Sequence, residues 1–403
     1  MQPWQRNLYP LWMAQFVAIA GLSVVIPFLP YYVQELGAER VELWSGLLLA
    51  SIGVTMGIFS PLWGSLADRY GRKLMMGRAL FGGALLLGDM GFVRNVQQLL
   101  VLCLLLGCLG GTVSAATPLV VSSAPRQQAG QALGLMQMAV FAGASVGPLL
   151  GGPAADHFGY PTTFAVTGGL QFLAGMLVVV FVREEFRPLD RQTELQGGDF
   201  WLGVGFVFRS RELLAVMGLE LMLRLGVRIM GPVLPLFVQM LVASEVRVAS
   251  LLGIITGLTA ATSAVGAVLL GRASDRFGYR PMLLSCALAM TVVYIPQFFV
   301  TTPLQLLILQ AAGGAAMGGG LAAIGALLAD LSPEGRQGAI YGLDATAISV
   351  ANTLAPLTGA VVAAELGLRA PFLFAAGVYG LATLMILWAI LNRRPERAEL
   401  PRI

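Results

Sequence analysis

The feature that most constrains this chain is a succession of apolar runs, each long enough to cross a bilayer. They fall at about 8–33, 44–66, 74–93, 98–121, 133–155 and 162–182. After a polar stretch they resume at about 213–237, 249–270, 282–300, 304–329, 342–364 and 371–391. A helix needs roughly 20 apolar residues to span the hydrocarbon core, where only helices and closed barrels satisfy their own backbone hydrogen bonds. Twelve runs therefore predict an all-α membrane protein with twelve transmembrane helices. Composition agrees, because only 11% of the 403 residues are charged, against roughly 25% in soluble domains. That excludes a soluble enzyme, a disordered chain and a nucleic-acid partner, and the net charge of +4 needs another explanation.

Topology supplies it. With the N-terminus in the cytoplasm, 19 of the 25 Lys and Arg residues fall on cytoplasmic segments. Four (Arg40, Arg94, Arg247, Arg369) fall on the opposite side. Cytoplasmic loops carry the basic excess, so both termini and the central linker are expected in the cytoplasm of a multi-pass protein of the cell's inner (plasma) membrane. Arg224 and Arg228 alone stand inside a span away from its ends, and Arg78 is expected to snorkel to the cytoplasmic side.

The chain also repeats itself. Gly64-Ser-Leu-Ala-Asp68-Arg69-Tyr70-Gly71-Arg72-Lys73 recurs as Gly271-Arg-Ala-Ser-Asp275-Arg276-Phe277-Gly278-Tyr279-Arg280, 207 positions later. Pro27 and Pro30 recur as Pro232 and Pro235, and Gly147-Pro148 as Ala355-Pro356, at offsets of 205 and 208. A fixed offset of half the chain marks a duplication. It divides the protein into a six-helix bundle at 1–182, a linker at 183–212, read as a solvated connector, and a second six-helix bundle at 213–403. An even number of spans per half puts the pseudo-twofold axis along the membrane normal, with a site between the halves near the midplane.

On these residues the sequence resembles the major facilitator superfamily. Gly64-x-x-x-Asp68-Arg69-x-Gly71-Arg72-Lys73 looks like its signature loop, and Asp275-Arg276 belongs to a degenerate copy. Gly134, Gly143, Gly147, Pro148, Gly151 and Gly152 match the motif of its antiporters at every fixed position. The opening segment (Arg6-Asn7-Leu8, Pro27 to Pro30, Trp44-Ser45-Gly46) is similar to the MdtG-type branch of bacterial drug:proton exporters. The resemblance implies proton-coupled efflux of small amphiphilic compounds by alternating access. It also implies that the signature loop is a cytoplasmic gate holding the outward-open state, in which Asp68 meets a helix N-terminus. Gly143, Gly147 and Gly151, four apart, form a face for close helix packing, and Gly253 and Gly257 offer a counter-surface in the other half.

The sharpest local feature is Glu220, Arg224 and Arg228 in the seventh span. Steps of four place all three on one helical face, and each charge costs on the order of 2.5–3.5 kcal/mol at mid-bilayer. The face must therefore look into a wet cavity. Glu220 is expected to carry the proton, with Arg224 tuning it and Arg228 attracting an anionic substrate group or deprotonated Glu220. A purely structural Glu220–Arg224 pair is the alternative. Asp344, in the eleventh span, is a second proton-coupling candidate, or a partner for the region of Arg72. At the place where many proton-coupled members carry a fourth-span Arg, this sequence has Cys103. Further candidates for the substrate cavity are Gln15, Phe16, Tyr31, Ser114, Thr117, Gln137, Phe141, Gln310 and Asn352.

Other chemistries are poorly served. The cysteines (Cys103, Cys108, Cys286) sit in apolar runs, so no disulfide framework is expected. His157, the only histidine, is placed in an external turn without partners for a metal. The only lysine, Lys73, is not in a Gly-Lys-Ser/Thr context, so no ATP site of that type exists. The expectation is a monomeric transporter, not an enzyme, using no cofactor and partnered by small molecules, protons and lipid. Rival readings are an exporter of an anionic or zwitterionic metabolite such as a siderophore, and a non-transporting receptor or scaffold.

Overall fold

The computed structural model describes residues 3–112, 116, 119–120, 128–184, 210–242, 247–332 and 337–391. Its regular structure is helical. In the first half α1 (Pro3–Val25) leads through a 3-10 turn at Ile26–Phe28 into α2 (Leu29–Glu35). Then come α3 (Val41–Tyr70), α4 (Arg72–Met90), α5 (Val96–Leu109) and α6 (Ala129–Phe181). The second half runs α7 (Arg211–Ile229), α8 (Val233–Leu241), α9 (Val248–Phe277), α10 (Tyr279–Gln297), α11 (Pro303–Asp330), α12 (Gln337–Leu366) and α13 (Ala370–Leu391).

Departures from twelve uniform spans have local causes. The first and seventh spans are broken where Pro27, Pro30 and Pro232 remove backbone donors. The fifth and sixth spans form one helical stretch of 53 residues, interrupted at Gly159 (φ 78°, ψ 164°), a conformation that glycine tolerates. His157 thus lies in helix and not in the expected external turn. Among the described residues, eight helical stretches are individually long and apolar enough to cross a membrane, and one of these holds the fifth and sixth spans together. Missing from the eight are α4 and α7, rich in charges, and α5, with 14 residues described.

The sequence repeat is a structural one. Helices α3 and α9 each have 30 residues, and α4 and α10 each have 19, with ends 207 positions apart. Gly71 (φ 101°, ψ 141°) and Gly278 (φ 91°, ψ 147°) make the same joint between them. Asn95 caps α5 by accepting from the Gln98 N–H, and Thr302 caps α11 by accepting from the Gln305 N–H.

Within the first half α1 and α4 pack on α6; within the second, α12 and α13 pack on α7. The halves meet along two helix pairs, α6 with α9 and α3 with α12, which are images of each other under the pseudo-twofold. Leu85, Leu173, Leu304 and Leu384 are exposed on the outside of the bundle, as a hydrocarbon solvent requires. Below, the basic end is the one bearing Arg69, Arg72, Lys73, Arg272, Arg276 and Arg280, and the far end is the one bearing Gly159, α2 and α8.

Candidate functional site

Glu220 lies on the inner side of α7 and is 3% exposed. One turn on, Arg224 donates from Nε (2.8 Å) and Nη2 (2.6 Å) to the same oxygen, Glu220 Oε1. From α12, Asp344 lies close enough to Glu220 and Arg224 to interact with both electrostatically. Glu220 Oε2 and Asp344 Oδ1 are both shut off from solvent, and neither meets a donor. Ionised carboxylates only accept, so neither oxygen can satisfy the other. Asp344 therefore belongs beside Glu220 and Arg224.

Arg228, one turn beyond Arg224, is enclosed deep in the protein yet keeps exposed surface because it opens onto a cavity. Among the described residues it has no carboxylate partner. The cavity measures about 340 Å³ and takes Ile26 and Pro27 from the first half. Thr256, Thr259, Ser263 and Gln310 give it a polar side, while Met290 and Met317 belong to its apolar one. Gln310 Nε2 donates to Gln297 Oε1 at 3.0 Å, which fixes the amide at the wall. An apolar chamber with adaptable methionines, a few hydroxyls and one cation suits an amphiphile.

Of the expected cavity residues, Gln310 reaches this chamber. Gln15 is fully buried with both amide atoms unpartnered, and Phe16 stacks on Trp12 with ring centroids 5.6 Å apart. Tyr31 bridges the halves, its hydroxyl donating to the Pro235 carbonyl at 2.7 Å. Gln137 is exposed, and Phe141 and Asn352 are half-buried; none of the three lines the chamber. Ser114 and Thr117 lie outside the described residues. Cys103 is fully buried in the core of the first half.

At the basic end the gate residues have several described contacts. Asp68 is in the last turn of α3, and its side chain lies outside the described set. Arg69 sits over the Tyr70 ring and Arg276 over the Phe277 ring, repeat-equivalent pairs, and Asp275 is exposed. The N–H groups of Arg72 and Lys73 donate to Oε1 and Oε2 of Glu184, each at 2.9 Å. Glu184 is thus a cap on α4 and not part of a solvated connector; the neighbouring Arg183 backbone is held by Asn7. Arg78 does not snorkel. Its guanidinium lies 3.4 Å from the Trp63 ring centroid and donates to the Gly110 carbonyl.

The glycine motif divides its work between two neighbours. Gly143, Gly147 and Gly151 face α1, where added Cβ atoms would meet the Phe16 and Ala20 carbonyls at 2.7 and 2.6 Å and Val24 at 3.0 Å. The adjacent face of α6 meets the other half, with Gly253 against Pro148 and Gly257 against Ser145 and Leu149. The expected counter-surface therefore exists, but it packs on Ser145, Pro148, Leu149 and Gly152. Among the described residues, Gly64 and Gly134 have no neighbour within 4 Å of an added Cβ.

Among the described residues, most hydrogen bonds between the halves lie at the far end, where sequence reasoning missed Asp156. Its carboxylate accepts from Ala249 N (3.2 Å), Ser250 N (2.7 Å) and Ser250 Oγ (2.5 Å) at the start of α9. The available signal was that Arg247, preceding α9, offers no side-chain cap of its own.

The sequence model of the Major Facilitator Superfamily matches residues 11–245 and 216–402. This chain belongs to that superfamily. Multidrug resistance protein MdtG of Salmonella arizonae is 34% identical over 399 residues, covering 98% of both chains. The Salmonella typhimurium protein of that name is 34% identical over 394 residues, covering 97% of this chain and 96% of its own. Among solved structures, the nucleoside transporter NupG (D323A mutant) superposes with a TM-score of 0.77 at 13% identity, covering 95% of this chain and 99% of its own. A bacterial homologue of the human lysosomal transporter Spinster, inward-facing and occupied, gives 0.78 at 15% identity, covering 98% of both. At such identities the likeness is one of fold. As a major facilitator protein, the chain is a multi-pass membrane transporter of twelve helices in two pseudo-symmetric bundles.

Proposed function

We propose that this protein exports small amphiphilic compounds across the inner membrane in exchange for protons, by alternating access. The bodies that rock are residues 1–182 and 213–403, joined by the linker 183–212. The basic end and both termini face the cytoplasm, and the working unit is a monomer without cofactor or nucleic-acid partner. The identity to multidrug resistance proteins along the whole chain supports the cargo class. Closure at the far end, with Gly64 clear of neighbours among the described residues, supports a conformation open to the cytoplasm.

The observation that carries proton coupling is the pair of donorless oxygens on Glu220 and Asp344. With Arg224 charged and one proton on the pair, the cluster is neutral. Release of that proton leaves a net negative charge inside the span, where low dielectric magnifies its cost. A cationic group arriving in the adjoining chamber offsets that charge, so substrate loading and proton release favour each other. Loss of the proton on substrate binding is the linkage an exchanger needs. Arg228 and Gln310 touch the substrate, and the signature loop (Gly64 to Lys73, with Asp275 and Arg276) closes the cytoplasmic end in the opposite state.

In proteoliposomes with an internal pH dye, an ethidium gradient should drive proton movement in the wild type. Glu220→Gln and Asp344→Asn should each abolish it; intact coupling in either variant would sink the assignment. A second reading is favoured by Arg228, which has no described carboxylate partner and opens onto the chamber: the cargo is an anionic or zwitterionic metabolite. It predicts flux of 8-anilinonaphthalene-1-sulfonate and none of ethidium.

A further inference from the structure

The start of α9 belongs to the second half, but its cap comes from the first. Asp156 reaches across the interface and satisfies two main-chain N–H groups and one hydroxyl there. A helix start left without such an acceptor would keep orphan donors, so parting the halves at the far end must first break these bonds. The next residue makes a second crossing contact: His157 Nε2 lies 3.0 Å from Arg247 Nη1. A guanidinium only donates, so a hydrogen bond at this contact requires a bare Nε2 on a neutral imidazole. Protonation would remove the acceptor and set one cation against another.

Tyr31 and Tyr160 face Asp156, and Glu35 lies near Tyr160 and Tyr32. None of them supplies a donor to the Asp156 carboxylate among the described hydrogen bonds. Nor is the arrangement a product of the duplication. At the repeat offset of 208 that relates Gly159 to Gly367, Asp156 corresponds to Ala364 and His157 to Glu365.

We propose that Asp156 and His157 form an acid-sensitive latch that bolts the far end shut, Asp156 by capping α9 of the opposite half and His157 by accepting from Arg247 only while neutral. Histidine is the side chain that changes charge between about pH 5 and 8. If the far end faces outward, which rests on the orientation proposed above, acid outside releases the latch. The proton gradient then both drives exchange and favours the conformation that receives external protons.

The test is a distance measurement that needs no transport. Spin labels at Gln34→Cys on α2 and Met240→Cys on α8, in a background with the native cysteines replaced, report far-end separation by double electron–electron resonance in lipid nanodiscs. The wild type should be predominantly short at about pH 7.5 and gain a long-distance population by about pH 5.5. Asp156→Asn should raise the long population several-fold at about pH 7.5. Ser250→Ala, which removes one of three bonds, should move it the same way by less. His157→Gln should stay closed and lose the pH response. Unchanged distances in both Asp156→Asn and Ser250→Ala would overturn the latch, and a pH response surviving in His157→Gln would overturn its acid sensitivity. Because ethidium flux is a separate assay, failure of the export reading would be seen independently.

Discussion

Replacing Gly152 by alanine should pry the far end open. A Cβ built on Gly152 falls 2.8 Å from Ser250 Cα and 2.9 Å from the Ala249 carbonyl carbon, with the Ala249 oxygen closer still. Carbon atoms in contact settle at about 3.5–4.0 Å, so α6 and α9 must separate by roughly 0.6 Å or more. The obstructing atoms are main chain, which cannot rotate aside. Overpacking of this kind costs about 1–3 kcal/mol, and that cost falls only on the conformation in which the two helices touch. The balance between far-end-closed and far-end-open states should therefore shift by about 5- to 150-fold. A cysteine at Ser263, in the chamber wall, reports the shift through labelling by a membrane-impermeant maleimide. In Gly152→Ala, labelling from the far side should rise and labelling from the basic side should fall. A variant that loses thermal stability with unchanged sidedness would show that the contact merely holds the fold, and the reasoning would fail.

Two further outcomes follow from the same coordinates. Gly64→Ala meets open space here, so it should leave the thermal midpoint of this conformation unchanged yet slow transport, by obstructing closure of the basic end. Unaltered transport would remove Gly64 from the gate. Glu184→Ala uncaps α4 at both the Arg72 and Lys73 N–H groups and should destabilise the first half by about 0.5–2 kcal/mol. A lowered midpoint in detergent is the readout, and no change would mean that water replaces the carboxylate at no cost.

What could be read in the sequence was whatever repeats or breaks a strong rule. The span positions follow from hydropathy, and the 207-residue offset anticipates the twin glycine joints at Gly71 and Gly278. The Glu220, Arg224 and Arg228 face is conspicuous because charges inside a span are rare. Residues that act through partners far along the chain leave no such trace. Asp156 meets Ser250 across 94 positions, and Glu184 meets Arg72 across 112. Neither spacing has a local period, and both residues read as ordinary charges near span ends. Gln15 and Tyr31 lie off the described chamber for another reason. A helix carries several polar-tolerant faces, and only packing decides which of them turns inward, toward the other half, or toward the chamber.

The duplication has a consequence for how the two copies share labour. The second half holds Glu220, Arg224 and Arg228, and the first half has Gln15 where the repeat would put a second Glu220. The first half holds Asp156, and the second has Ala364 in its place. On the proposed roles, the proton chemistry resides in one copy and the bolt in the other. Neither can stand in for its twin, so each position is a single point of failure in a molecule that otherwise looks redundant.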